Sequence, residues 1–258
     1  RDRSPSRGLG DVYKRQIPNF KCFGYYGGMP KLNLKNPEVE KYITDVACYW
    51  IKECDIDGWR LDVGDEISHF FWKNFRKAVK AVKKDLLIIG EIWHYAGDFL
   101  EGDEWDTVMN YPFYLNLIDL LADEKITVSQ FVQNLGYLKG RLNKNCYPLM
   151  WNLIDSHDTA RFLHLCNDNK KKQHLAAAFQ LLLPGMPMIY YGDEYAMPGA
   201  NDPDCRRGMY WDEEYQDKEM YEWYKRLIQV RKSHACIVEG ELAGSVTEDE
   251  KLSLIHIS

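Results

Sequence analysis

Two oppositely ionising residues, Arg60 and Asp62, stand two positions apart in Asp57-Gly58-Trp59-Arg60-Leu61-Asp62-Val63, at the end of a short apolar run. In a strand, side chains alternate between faces, so Gly58, Arg60 and Asp62 share one face and Trp59, Leu61 and Val63 the other. A guanidinium beside Asp62 favours its ionised form, which suits a nucleophile or an electrostatic stabiliser. Taken alone, an Arg-x-Asp is more often a structural ion pair. Two further runs change the weighting. Leu86-Leu87-Ile88-Ile89-Gly90-Glu91-Ile92-Trp93-His94 is apolar on both faces, as a parallel strand covered by helices is, and Glu91 sits at its end. Asn152-Leu153-Ile154-Asp155-Ser156-His157-Asp158-Thr159 again runs from apolar residues into an imidazole and an acid.

Those side chains need elements that bring them together. Between Asp62 and Glu91 the chain is amphipathic from about Ile67 to Lys84, with Phe70, Phe71, Phe75, Ala78, Val79 and Val82 set against Lys73, Arg76, Lys77, Lys80 and Lys83. This is a strand, crossover helix, strand unit, which puts both carboxyls on one edge of a parallel sheet. In a closed eight-stranded barrel, that edge carries the active site. The spacing predicts five strands: Ile56 to Val63, Leu86 to Trp93, Thr107 to Tyr111, Leu149 to Ser156 and Pro187 to Gly192. Helices are expected from the Asn36 cap and Pro37 to Cys54, from Lys170 to Leu183, and from Glu214 to Lys232. Tyr111-Pro112-Phe113 is expected to supply an aromatic wall.

The segments Asp-Gly-Trp-Arg-Leu-Asp-Val, Gly-Glu-Ile-Trp-His and Ile-Asp-Ser-His-Asp-Thr resemble three of the four signature regions of glycoside hydrolase family 13, the alpha-amylase family. Met29-Pro30-Lys31-Leu32-Asn33 resembles the motif that marks its neopullulanase, cyclomaltodextrinase and maltogenic amylase branch. Met109-Asn110-Tyr111-Pro112-Phe113, the run Gly185 to Glu194, and Asp202-Pro203-Asp204-Cys205-Arg206-Arg207 add support, and the similarity extends from about Ile17 to about Ala243. It implies an α/β fold, a (β/α)8 TIM barrel. The five strands correspond to the family's strands four to eight, so the barrel is expected to be incomplete, with strands one to three missing.

The resemblance also implies roles. Asp62 would be the nucleophile, Glu91 the general acid and then base, and Asp158 the carboxylate that stabilises the transition state. Arg60 and His157 would hydrogen-bond the sugar whose bond breaks, and Asp202 and Arg206 the next sugar on the non-reducing side. Trp93 would be an apolar platform for a sugar ring, and Glu66 would tune acceptor water against acceptor sugar. Such enzymes retain anomeric configuration, with nucleophile and acid/base about 5–5.5 Å apart. The neighbours agree with this division: Arg60 should keep Asp62 ionised, whereas Trp93 and a second anion should push Glu91 toward its protonated form.

Length and composition set limits. The chain has 258 residues, about one barrel domain, and 45% of them are hydrophobic, enough for a sizeable core. The net charge is −6 with no basic run, which disfavours nucleic acid as a partner. No apolar stretch reaches membrane-spanning length and no signal peptide is visible, so no membrane is expected. The seven cysteines form no paired metal pattern and suit reduced thiols in a cytoplasm. No metal site and no cofactor are expected; structural calcium belongs, by resemblance, to segments of a full-length parent. Homodimerisation of such a parent would use a missing N-terminal domain.

Three regions are expected. Residues 1–16 read as a non-native or disordered leader, 17–236 as a partial catalytic barrel beginning at the end of an inserted B region, and 237–258 as the start of a C-terminal β-domain with an appended tail from about Leu252. The function implied is retaining hydrolysis of alpha-1,4 bonds in maltooligosaccharides, cyclodextrins or pullulan, with transglycosylation as a side reaction. The alternatives are an alpha-1,6-glucosidase of the same family and a non-catalytic carbohydrate-binding member. Two open parallel edges and an exposed barrel interior are aggregation liabilities. The polypeptide alone is therefore expected to be inactive and poorly soluble, and a soluble monomer that cleaves maltooligosaccharides would overturn this.

Overall fold

The computed structural model describes residues 19–246 and 252–257; the expected 1–16 leader lies outside the described residues. Asn36 opens the first long helix, α1 (Pro37–Cys54), by accepting a hydrogen bond from the Glu38 N–H at 2.9 Å, with Pro37 supplying a pre-set φ. The helix ends on Asp55 in the left-handed region and feeds β1 (Gly58–Leu61). Ser68 caps α2 (His69–Val82), which returns the chain to β2 (Leu87–Gly90). After β3 (Thr107–Val108), Asn110 caps α3 (Tyr111–Leu117), and a Thr127–Gln130 capping box starts α4 (Val128–Arg141). Then follow β4 (Trp151–Asn152), the short α5 (Phe162–Leu165), α6 (Lys170–Leu182) and β5 (Met186–Pro187). Helices α7 (Lys218–Ser233) and α8 (Cys236–Glu239) lead to an antiparallel pair, β6 (Glu241–Val246) with β7 (Leu252–Ile257).

The first five strands form one parallel arc in chain order. Strands β1 to β3 are a three-stranded sheet, β4 and β5 a pair, and a parallel bridge from Met109 to Trp151 joins the two. Alternation then sorts the side chains. Trp59, Leu61 and Ile88 pack outward with Phe71, Phe75 and Val79 of α2. Ile89, Met109 and Leu153 form a separate cluster on the other face, and Arg60 lies directly opposite Ile89 in the register. The expected sharing of a face by Arg60 and its neighbours thus follows from the pleat.

Every strand is shorter than the sequence reading has it, for local reasons. Val63 adopts a left-handed conformation (φ 46°), which turns the chain off β1. Asn110 stops β3 by capping α3. At β5, the ladder ends with the Met188 N–H donating to Asn152 O at 2.8 Å, and the Gln180 side chain donates to the carbonyls of Asn152 and Met188. The last long helix begins at Lys218 rather than Glu214, because Asp217 is its cap. Phe70 was expected on the apolar face of α2 but is exposed. Leu252 onward, set aside as a tail, pairs in register with Glu241–Val246 through Ile257.

One indole supports the rim. Trp105 is buried, stacks on Phe99 at 4.2 Å and meets Trp72 edge-on. It lies so close under the two strand ends that a Cβ on Gly90 would stand 2.2 Å from it, and one on Gly64 would stand 2.6 Å away. Gly90→Ala therefore overpacks the base of the site and should cost about 1–3 kcal/mol. Thermal denaturation checks this, and an unchanged midpoint would mean that Trp105 has room to yield.

Candidate active site

The backbone locks the ends of β1 and β2 together before any side chain acts. The Glu91 N–H donates to Leu61 O at 2.9 Å, and the Gly64 N–H donates back to Glu91 O at 3.1 Å. Asp62 and Glu91 are thereby the first residues beyond two paired strands. Arg60 reaches both carboxyls: Nη1 is hydrogen-bonded to Asp62 Oδ1, and Nη2 lies 3.1 Å from Glu91 Oε1. Glu91 is buried, whereas Asp62 is 64% exposed at the rim.

Two hydrogen-bond donors converge on Glu91. The Val63 N–H donates to Oε2 at 2.8 Å, and the Trp93 indole N–H donates to Oε1 at 3.2 Å. The first depends on the left-handed turn at Val63, a strained conformation for a β-branched residue that costs of order 1–3 kcal/mol. Sequence reasoning had Glu91 beside Trp93 and a second anion, with Arg60 serving Asp62 alone and the indole offering its apolar face to a sugar. Instead the indole turns its N–H to the carboxyl and the Arg60 guanidinium bridges the two acids, because the chain leaves the strand at Glu91 and Trp93 no longer follows the pleat. Trp93 lies flat on Tyr111, with centroids 4.0 Å apart, and remains 42% exposed. Burial, followed by the hydrogen bond to Ser156, governs the Tyr111 hydroxyl, and the net shift is upward. Of the expected aromatic wall, Tyr111 backs Trp93, while Phe113 turns away into the helical core.

From the other strand group come His157 and Asp158. His157 Nε2 lies 3.2 Å from Asp158 Oδ2, and Arg206 Nη2 donates to Asp158 Oδ1 at 3.0 Å. Arg206 Nε also donates to His157 O at 2.8 Å and pairs with Asp202 at the same distance. Met29, Asp62, Val63, Asp65, Glu91, Trp93, His157, Asp158 and Arg206 line a single cleft of about 420 Å³. Asp202 stands behind Arg206 rather than on the wall.

Glu66 is not on the wall either. It accepts from the Gly24 N–H at 2.8 Å and pairs with Lys31 at 2.6 Å. Glu66 thus clamps the segment from Lys21 to Lys31 against the end of β1, and that segment carries Met29 into the cleft. Asp65 was missed by sequence reasoning; it lines the cleft and pairs with His94 at 3.0 Å. An acid three residues past Asp62 in a short helical turn carried no signal in the pattern. Among the described residues, no group of three or more His, Cys, Asp or Glu side chains is arranged to hold a metal ion.

The hydrogen bond from Lys31, ahead of the Gly24 N–H, holds the Glu66 carboxyl below the ordinary carboxylate range. An acid depressed by folding stabilises above its unfolded pKa and loses that contribution as pH falls through the folded value. The 21–31 segment should therefore loosen as pH falls through the low value of Glu66. Glu66→Gln should loosen it at neutral pH. Amide exchange at Gly24 reads both, and a pH-independent Gly24 in the wild type would refute the clamp.

Comparison with known proteins accords with this geometry. The family described as Alpha amylase, catalytic domain, matches residues 13–216, a span that begins inside the stretch read as a leader. The cyclomaltodextrinase of Geobacillus thermopakistaniensis (strain MAS1) is 46% identical over 239 residues, covering 93% of this chain and 41% of that protein. The intracellular maltogenic amylase of Bacillus subtilis is 45% identical over 233 residues, covering 90% and 40%. A solved cyclomaltodextrinase structure superposes with a TM-score of 0.87 at 42% identity, over 90% of this chain and 40% of that one. The chain thus spans about two fifths of the length of these relatives. A family match over most of the chain, and relatives more than 40% identical over some nine tenths of it, place this protein in the alpha-amylase family, glycoside hydrolase family 13, whose catalytic domain is a (β/α)8 barrel.

Proposed function

We propose that this chain carries the catalytic rim of a retaining alpha-glucan hydrolase, formed from strands four to eight of the family barrel. The observation that supports it most is the Arg60 fork, which reaches both Asp62 and Glu91 across paired strand ends. Two carboxyls bridged by one guanidinium are close neighbours, as the separation of about 5–5.5 Å in a double displacement demands.

In the first step, Asp62 attacks the anomeric carbon, the bond to the leaving oxygen breaks, and Glu91 gives that oxygen its proton. A glycosyl ester on Asp62 results. In the second step, water gives a proton to Glu91 and adds its oxygen to the same carbon, releasing Asp62 and restoring the original configuration. Asp158, steered by Arg206 and His157, faces the positive charge that develops on the sugar ring. The exposed indole of Trp93 is a surface for the apolar side of a glucose ring. Glu66 acts at one remove, by holding Met29 at the cleft.

Relatives named cyclomaltodextrinase, maltogenic amylase and neopullulanase support small maltooligosaccharides, cyclodextrins and pullulan as substrates. Seven scattered cysteines without a paired spacing suit a reducing, cytoplasmic setting.

The test is to express the intact reading frame that contains this chain and assay it on cyclodextrin, pullulan and starch beside Glu91→Gln. Loss of the acid should cut kcat by at least about a hundredfold, with cyclodextrin or pullulan preferred over starch in the parent. A variant as active as the parent would remove Glu91 from the chemistry. Binding of these glucans without cleavage by the parent would favour a non-catalytic carbohydrate-binding protein.

A further inference from the structure

A second cavity adjoins the cleft at Trp93, which lines both. It holds about 390 Å³, a size found among small-ligand sites. The short loop after β2 separates the two spaces. His94 and Tyr95 line the second cavity, while His94 Nε2 pairs across the partition with Asp65 of the cleft wall at 3.0 Å.

Two helical stripes build the rest. Residues three and four apart share a helix face. Leu115 and Asn116 of α3, with Asp119 in the turn that follows, form one wall, and Asn134, Tyr137 and Arg141 of α4 form the other. The walls are joined by an amide ladder: buried Asn116 donates from Nδ2 to Phe131 O at 3.3 Å and accepts from Asn134 Nδ2 at 2.8 Å. The end of α4 is tied to the loop. Arg141 lies over the rings of Tyr95 and Tyr137, 4.1 and 5.2 Å from their centroids. It donates from Nη1 to the Tyr137 hydroxyl at 2.9 Å, and its carbonyl accepts the Tyr95 hydroxyl at 2.7 Å.

Held this way, Tyr137 is still 66% exposed, and Leu115 is 45% exposed. A ring that its neighbours already orient loses little freedom when a ligand stacks on it. The charges of Arg141 and Asp119 cancel, so the walls do not select an ion by net charge. Aromatic surface interleaved with amide, carboxylate and guanidinium groups suits a neutral chain with apolar ring faces and hydroxyl edges. Position gives the same answer. Glu91, which accepts the Trp93 N–H, hands its proton to the leaving oxygen in the reaction proposed above, so a chain that continues past Trp93 is the leaving-group part of the substrate.

We propose that this cavity is an outer subsite for the leaving-group end of an alpha-glucan, in which glucosyl units beyond Trp93 stack on Tyr137 and hydrogen-bond to Asp119, Asn134 and Arg141. The assignment rests on the glucan reading of the cleft. The two fail separately: a protein that cleaves none of the glucans can still bind them through this cavity, and one that cleaves them can do so without it.

Equilibrium titration of the intact reading frame carrying Glu91→Gln, with maltotriose and with maltoheptaose, tests the subsite without relying on turnover. The longer chain should bind about tenfold more tightly or better, and adding Tyr137→Ala should remove most of that advantage. Tyr137→Phe keeps the ring and should keep the advantage. Leu115→Arg, a change at an exposed position, should remove it by filling the cavity. Equal affinity for the two chains overturns the subsite, as does an advantage that survives both Tyr137→Ala and Leu115→Arg. A Phe variant as impaired as the Ala variant overturns stacking on Tyr137. If Tyr137→Ala binds neither chain, Leu115→Arg decides: a lost advantage sustains the subsite and a retained one overturns it.

Discussion

One guanidinium between two carboxyls is the constraint on which the rim depends. Asp62 and Glu91 are held side by side by a parallel register that nothing in their own chemistry favours, since two anions at neighbouring strand ends repel. Arg60 resolves this from the same face of β1, one pleat before Asp62. Because it is a fork rather than a point charge, it can engage both acids at once. Further requirements follow: a backbone N–H must be turned toward Glu91 at Val63, and a glycine must precede Glu91 so that Trp105 can pack beneath it.

Much of this was legible because the carboxyls lie at strand ends, where a period of two breaks into polar residues. Asp62, Glu91, His157, Asp158 and Arg206 all came from that pattern or from the motifs around it, and all line one cleft. The expected partners of Glu91 were wrong in kind, since the local chain path decides whether Trp93 offers its face or its N–H. Glu66 shows a different blindness. Its spacing from Asp62 suited the cleft, but Lys31 lies 35 residues earlier in the chain and only the fold brings the two together.

Asp158 is held from outside by Arg206, an exposed contact that salt and substrate can compete for. From inside, its turn is held by bonds among buried groups, where each unsatisfied atom is costly and few alternatives exist. An incoming sugar can therefore displace Arg206 without freeing the turn. The contacts around Asp158 are thus divided between a buried layer that cannot rearrange cheaply and an exposed one that can.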